Sequence, residues 1–156
     1  MTVTRSHHVG ISVSDRDAAL AFWTGFLGVE PRWTTILDRP YLGRNLGYPG
    51  LSIAAAFVDL PGGVVLEILD YRVEKPAAVP PEATAAPGHV HLCLEVDDVD
   101  DAWRRALELG ARSVHAGGPV DVDSGPIEGA RASYLRVPPD WHTLELFQPP
   151  APDSIV

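Results

Sequence analysis

The fold of this 156-residue chain is decided by a stretch with histidines at its front and acidic residues at its end, His89-Val90-His91-Leu92-Cys93-Leu94-Glu95-Val96-Asp97-Asp98-Val99-Asp100. Its apolar residues alternate as in a half-buried strand, and the acidic residues after them are typical of a helix start. A similar stretch occurs earlier in the chain, His8-Val9-Gly10-Ile11-Ser12-Val13-Ser14-Asp15. When His8 is aligned with His91, Asp15 falls on Asp98, which indicates an internal repeat.

Each copy of the repeat begins a series of one strand, one helix and three further strands. The strands of the first series are predicted at residues 7–13, 30–37, 51–60 and 64–71, with a loop at 38–50. Those of the second series are predicted at residues 89–96, 112–115, 129–137 and 143–148, with a loop at 116–128. The patterns therefore predict an α+β fold of two tandem βαβββ modules. The modules span residues 1–71 and 89–148, and a Pro/Ala-rich linker at 72–88 and a loose tail at 149–156 complete the chain.

The composition restricts the class of protein. A hydrophobic content of 46% is enough for a core, and a net charge of -9 argues against binding to nucleic acid or to an anionic membrane surface. No apolar run reaches the ~18 residues of a membrane span. We recognise no signal peptide, and the single cysteine, Cys93, rules out an internal disulfide. We therefore expect a soluble cytoplasmic protein.

Two histidines and two glutamates occupy matching places in the two modules. His8 and His91 lie at the front of the first strands, and Glu67 and Glu145 lie between aliphatic residues of the last strands. A carboxylate in such a strand is costly to bury unless it is paired or binds a cation. If the modules pack about a pseudo-twofold axis, the four side chains converge on one point. Two imidazoles and two carboxylates suit a zinc, nickel, cobalt, manganese or iron(II) ion, so we predict that these four residues bind a divalent metal.

The segments around these residues resemble those of a known family: His8 to Asp15, Val64 to Ile68, His91 to Asp98 and Asp140 to Phe147. They resemble the vicinal oxygen chelate superfamily, which includes glyoxalase I, methylmalonyl-CoA epimerase, extradiol dioxygenases and bleomycin-binding proteins. The resemblance implies a partly open, eight-stranded, barrel-like sheet around the metal site, and a homodimer. One turn departs from the family pattern Asp-Pro-Asp-Gly, because here it reads Pro138-Pro139-Asp140-Trp141. We expect Trp141 to change that turn without touching Glu145.

The ligand set resembles that of glyoxalase I, which implies proton transfer next to a metal-bound carbonyl or hydroxyl of a small-molecule substrate. The metal would act as a Lewis acid and stabilise an enediolate, and Glu67 or Glu145 would be the catalytic general base. The leading hypothesis is therefore a metal-dependent, glyoxalase-like lyase or isomerase. Methylmalonyl-CoA epimerase is a poorer match. Its carboxylate base precedes the third strand, and residues 41–56 of this chain contain no Asp or Glu.

Two other functions stay open. His8, His91 and Glu145 resemble the two-histidine, one-carboxylate face of an extradiol-type iron(II) dioxygenase, although a bound Glu67 would fill one of its open positions. The third hypothesis is a non-catalytic small-molecule or antibiotic-binding resistance protein. The bleomycin-binding relatives generally lack the metal ligands, so the presence of all four residues argues against that hypothesis.

Overall fold

The computed structural model describes residues 2, 4–75, 77, 80 and 84–151. The chain divides after Ala77 into two compact units, and each unit has its own sheet. The predicted linker at 72–88 and the predicted tail at 149–156 lie partly outside the described residues. Within the described part of the chain, none of the helices combines the length and the apolar character that a membrane span requires.

The described residues of the first unit form one sheet, two α-helices and a short 3-10 helix at Pro61–Gly63. Its elements are β1 (His8–Ser12), α1 (Arg16–Leu27), β2 (Trp33–Leu37), α2 (Pro40–Leu46), β3 (Ile53–Asp59) and β4 (Val65–Tyr71). The strand order is β1-β4-β3-β2, in which β1 and β4 are parallel and the other neighbours are antiparallel. The predicted βαβββ order of the first module is therefore confirmed.

Local residues determine both ends of helix α1. The carboxylate of Asp15 accepts hydrogen bonds from the backbone N–H groups of Asp17 (2.9 Å) and Ala18 (3.0 Å) and so caps the helix N-terminus. Gly28 ends the helix with a φ of 69°, a conformation that glycine adopts without steric cost. The apolar face of α1, which includes the buried Phe22 and Trp23, packs against β3 and β4.

The loop predicted at residues 38–50 is wrong in its centre, where α2 forms. Its glycines and prolines favour a loop in general, but here they stand at helix boundaries. Pro40 lies in the first turn, and Gly47 ends the helix with a φ of 77°. Gly43 is needed inside the helix, because a Cβ at that position would lie 2.6 Å from the backbone oxygen of Tyr48.

The second unit repeats the architecture of the first. Its elements are β5 (His91–Glu95), α3 (Val99–Glu108), β6 (Arg112–Ser113), β7 (Val120–Asp121), β8 (Arg131–Val137) and β9 (His142–Gln148). The strand order is β5-β9-β8-β6, with β5 and β9 parallel. The second βαβββ module is thus confirmed. The loop predicted at 116–128 is partly wrong, because the two-residue strand β7 within it pairs with β8.

The start of α3 is tied to the sheet of the second unit. Asp98 caps the helix by accepting a hydrogen bond from the backbone N–H of Asp101 at 2.9 Å. Arg131 on β8 donates to Asp100 in the first turn of α3 and, at 2.8 Å, to Asp121 on β7. The guanidinium therefore connects three elements of this unit.

The turn before β9 has an unusual backbone conformation. Trp141 has a φ of 62°, a region that side-chain-bearing residues rarely occupy. The guanidinium carbon of Arg112 lies 3.7 Å from the centre of the Trp141 ring, so a cation–π contact accompanies this turn. Trp141 thus occupies the position that glycine holds in the family pattern.

Candidate metal centre

The first unit brings His8 and Glu67 together on its two parallel strands. In the β1–β4 register, His8 is opposite Val65 and Gly10 is opposite Glu67. Glu67 therefore lies two residues further along its strand than the partner of His8, and both side chains lie on one face of the sheet. The Nε2 atom of His8 is 3.3 Å from Oε2 of Glu67.

The second unit brings His91 and Glu145 together in the same way. His91 is opposite Thr143 and Cys93 is opposite Glu145, so the offset between histidine and glutamate equals that in the first unit. The Nε2 atom of His91 is 3.0 Å from Oε2 of Glu145. The predicted site residues therefore form two equivalent pairs, one in each unit.

Strand alternation explains why each glutamate faces its histidine. Leu66 and Ile68 on β4 are fully buried, as are Leu144 and Leu146 on β9. These flanking aliphatic side chains occupy the opposite face of the strand, so the carboxylates lie on the histidine face. Each glutamate side chain is 17% exposed, whereas the histidine side chains are 44% exposed in His8 and 40% in His91.

The spacing within each pair fits two neighbouring ligands of one ion. Zinc binds histidine nitrogen and carboxylate oxygen at ~2.0–2.2 Å, so ligand atoms at 90–110° to each other lie roughly 3.0–3.4 Å apart. The two observed distances, 3.3 Å and 3.0 Å, lie within this range. Among the described residues, no group of three or more His, Cys, Asp or Glu side chains is close enough to hold a metal. What the structure assembles is thus a pair of candidate ligands in each unit.

Two side chains lie opposite Glu145 on the flanking strands. Cys93 on β5 and Tyr134 on β8 are its register partners. Burial and the neighbouring Glu145 carboxylate raise the pKa of Tyr134. Burial and the Glu145 charge raise the pKa of Cys93 to about 11, so this thiol keeps its proton at neutral pH.

The residues near Glu67 are aromatic. Phe57 lies opposite Glu67 in the β3–β4 register and stacks on Trp33 with ring centres 4.3 Å apart. Burial, and then the Glu67 charge, raise the pKa of Tyr71, which lies further along β4. The histidine face of the first unit therefore carries an aromatic surface.

The sequence pattern did not indicate Phe57 or Tyr134 as site residues. Both residues belong to the strand that pairs with the glutamate strand, and in both units they lie directly opposite the glutamate. The alternating pattern shows which residues share a face. It does not show which residue of a neighbouring strand faces a given glutamate, because that depends on the hairpin register. Aligning the last two strands of one module with those of the other would have indicated that Phe57 and Tyr134 occupy equivalent positions.

The comparisons with known proteins agree with this architecture. A sequence profile of the glyoxalase/bleomycin resistance protein/dioxygenase superfamily matches residues 7–127. The chain therefore belongs to this superfamily, which confirms the resemblance described above. A solved glyoxalase family protein from Bacillus cereus has the same fold, with a TM-score of 0.82, 20% identity and coverage of 97% of each chain.

Two curated relatives indicate the class of enzyme to which this chain is similar. A protein named 2-epi-5-epi-valiolone epimerase, from an Actinomyces species, is 33% identical over 93% of this chain and 79% of its own length. An ethylmalonyl-CoA/methylmalonyl-CoA epimerase from Cereibacter sphaeroides is 30% identical over 75% of this chain and 79% of its own length. Both relatives are named as epimerases, which are enzymes of the isomerase class. They support the prediction of an enzyme and, within it, the isomerase alternative.

Proposed function

We propose that this protein is a metal-dependent isomerase that moves a proton at a carbon next to a carbonyl or hydroxyl group of a small molecule. In this proposal His8, Glu67, His91 and Glu145 bind one divalent ion. The observation that carries the proposal is the repeated His–Glu pair, with nitrogen–oxygen distances of 3.3 Å and 3.0 Å and the same strand offset. The epimerase names of the relatives favour an isomerase over a lyase.

The donor set fits a borderline divalent ion, because imidazole nitrogen and carboxylate oxygen suit zinc, nickel, cobalt, manganese and iron(II). When bound, such an ion supplies Lewis-acid chemistry that favours negative charge on a substrate oxygen. The two histidines would hold the ion through Nε2, the ring nitrogen that lies nearest to the carboxylate of the same pair.

In this proposal a carboxylate transfers the proton. Glu67 or Glu145 accepts the proton of the substrate C–H bond on a carboxylate oxygen. The electron pair of that bond stays on the substrate and spreads to the neighbouring oxygen. A proton from water is then added to the opposite face of that carbon, which gives the epimer, and the carboxylic acid releases its proton to water.

The experiment is solvent exchange in D₂O with the metal-loaded protein. The substrate classes to test are those named in the relatives, a cyclic hydroxylated ketone (2-epi-5-epi-valiolone) and a branched malonyl thioester (methylmalonyl-CoA). We expect NMR to show deuterium at the carbon next to the carbonyl of one of them. We expect Glu67→Gln or Glu145→Gln to abolish the exchange, whereas Glu108→Gln, which changes an exposed glutamate of α3, retains it.

Two results would contradict the proposal. One is a protein that binds a divalent metal but exchanges no proton with either class of compound. The other is oxygen uptake that depends on iron(II) and a catechol, which would favour the dioxygenase hypothesis. Antibiotic binding that persists in a His8→Ala, His91→Ala variant would favour the resistance-protein hypothesis.

We also propose a homodimer, which rests on the family resemblance. Light scattering of the purified protein tests it, and a monomer at micromolar concentration would contradict it. The cytoplasmic location stays a prediction that fractionation of the source cells would check.

A further inference from the structure

The histidine face of the second sheet also carries two arginines. His91 is opposite Thr143, which in turn is opposite Arg136 on β8. Arg136 is opposite Arg112 on β6, so these four residues form one row across the sheet. Residues that lie directly opposite each other point to the same face. With ~4.8 Å between neighbouring strands, the Cα atoms of His91 and Arg136 lie about 10 Å apart, a distance that a small molecule spans.

The packing of the second unit confirms that both arginines point away from its core. Both neighbours of Arg136 on β8 are fully buried, so Arg136 points to the other face of the sheet. Ser113, which follows Arg112 on β6, accepts a hydrogen bond from the indole of Trp103 on α3 at 3.1 Å. Because Ser113 faces α3, the preceding Arg112 points away from that helix.

In the described part of the chain, Arg136 is held by hydroxyl groups and not by a carboxylate. Its guanidinium donates hydrogen bonds to the hydroxyls of Thr143 and Thr84. The hydroxyl of the buried Thr143 also hydrogen-bonds Nε2 of His89 at 2.8 Å, which fixes its position. A guanidinium has more N–H donors than these two hydroxyls accept, so donors remain for a ligand.

Arg112 is held by an aromatic ring. Its guanidinium carbon lies 3.7 Å from the centre of the Trp141 ring, and such stacking leaves the N–H groups at the edge of the guanidinium for a ligand. The ion pairs that the described arginines form involve neither Arg112 nor Arg136. Like charges directly opposite each other on two strands repel, and an anion bound to both would remove this cost.

We propose that Arg136 and Arg112 form a subsite for an oxoanion group of the substrate, a carboxylate or a phosphate. Guanidinium groups bind both kinds of oxoanion through paired N–H···O hydrogen bonds. The inference rests on the proposed function, because the subsite shares a face with His91 and Glu145, and it makes the substrate class more specific. It favours an acidic substrate, such as a malonyl thioester, over an uncharged cyclic ketone.

The test is isothermal titration calorimetry of the metal-free full chain with malonate and, separately, with inorganic phosphate. We expect binding of at least one of the two anions, and the tighter one identifies the group as a carboxylate or a phosphate. Malonamide, the uncharged analogue of malonate, should not bind. Arg136→Gln keeps a hydrogen-bonding side chain but removes the charge, and we expect it to weaken anion binding about 10-fold or more.

Two further variants complete the experiment. Arg104→Gln removes the same charge from an exposed side chain of α3 and is the matched control, which should bind the anion like the wild type. Arg112→Gln changes an exposed side chain without removing a partner of the Thr143 hydroxyl, and we expect a smaller loss of affinity, about 3-fold. If Arg136→Gln fails to fold, Arg112→Gln decides the matter. In the D₂O exchange experiment, Arg136→Gln should raise the KM of an acidic substrate more than it lowers kcat.

The outcomes separate this inference from the proposed function, because anion binding is measured without metal. A wild type that binds neither anion, or an Arg136→Gln variant that binds as tightly as the wild type, overturns the subsite and leaves the proposed proton exchange untouched. An equal loss in Arg104→Gln also overturns it, since net charge would then be the cause. If the anion binds as expected but the metal-loaded protein exchanges no proton, the subsite stands and the proposed function fails.

Discussion

His91 and Glu145 lie on neighbouring parallel strands, with Nε2 of the histidine 3.0 Å from Oε2 of the glutamate. His8 and Glu67 repeat this relationship in the first unit at 3.3 Å, with the same offset along the strands. An isolated surface ion pair contributes little to stability and has no reason to recur at the same register. The recurrence is therefore better explained by a function that both pairs share.

The first prediction concerns Gly43 in α2. A change from glycine to alanine inside a helix normally adds up to about 1 kcal/mol of stability. Here the new Cβ would lie 2.6 Å from the backbone oxygen of Tyr48, so we expect Gly43→Ala to lower the free energy of unfolding by about 1–3 kcal/mol. Urea unfolding followed by circular dichroism measures the effect.

Gly10→Ala is the control for that prediction. A Cβ at Gly10 would make ordinary contacts of 3.7 Å with Glu67 Oε2 and Leu69 Cδ1, so we expect no loss of stability. Equal stability of Gly43→Ala and the wild type would contradict the close approach of Tyr48 to the helix.

The second prediction concerns the helix caps. Asp15→Ala removes the acceptor of two backbone N–H groups at the start of α1, and we expect a loss of about 1 kcal/mol in the free energy of unfolding. Asp15→Asn keeps a side-chain oxygen and should retain most of the stability. Thermal unfolding distinguishes the two variants, and equal losses in both would show that the cap is not the cause.

The third prediction is a pH dependence that arises from Asp100. The hydrogen bond from Arg131 lowers the pKa of this carboxyl below its ordinary value. A lowered folded-state pKa stabilises the protein above the unfolded-state pKa, and the stabilisation is lost as the pH falls through the folded-state pKa. We therefore expect Asp100→Asn to lower the Tm at neutral pH and to match the wild type in strong acid.

Asp101→Asn is the matched control, because Asp101 also lies in the first turn of α3 but pairs with Arg104 of the same helix. It should lower the Tm less at neutral pH. A Tm difference between Asp100→Asn and the wild type that persists unchanged into strong acid would contradict the role of the Asp100–Arg131 contact.

Local sequence signals predicted much of this fold. Asp15 and Gly28 mark the ends of α1 because a capping carboxylate and a left-handed glycine each satisfy backbone groups within one turn. The same is true of Asp98 at the start of α3. Helix α2 was missed because Pro40, Gly43 and Gly47 fit a loop equally well until the close packing of Tyr48 is known.

The candidate site was predictable only in part. The alignment of His8 with His91 indicated the four candidate ligands, and the structure pairs each histidine with the glutamate of its own unit. The different partners of the glutamates, Phe57 and Tyr134, could not be predicted from spacing. They depend on the antiparallel register, which forms through contacts between distant parts of the chain.

The central claim is that both His–Glu pairs bind one divalent ion, and the most direct test is the metal content of the purified protein. The account predicts that zinc titration of the metal-free wild type saturates at one ion per chain. It also predicts that His8→Ala and His91→Ala each abolish tight binding, whereas His115→Ala, which changes an exposed histidine, does not. Saturation at two ions per chain, or tight binding that survives in both His8→Ala and His91→Ala, would contradict it.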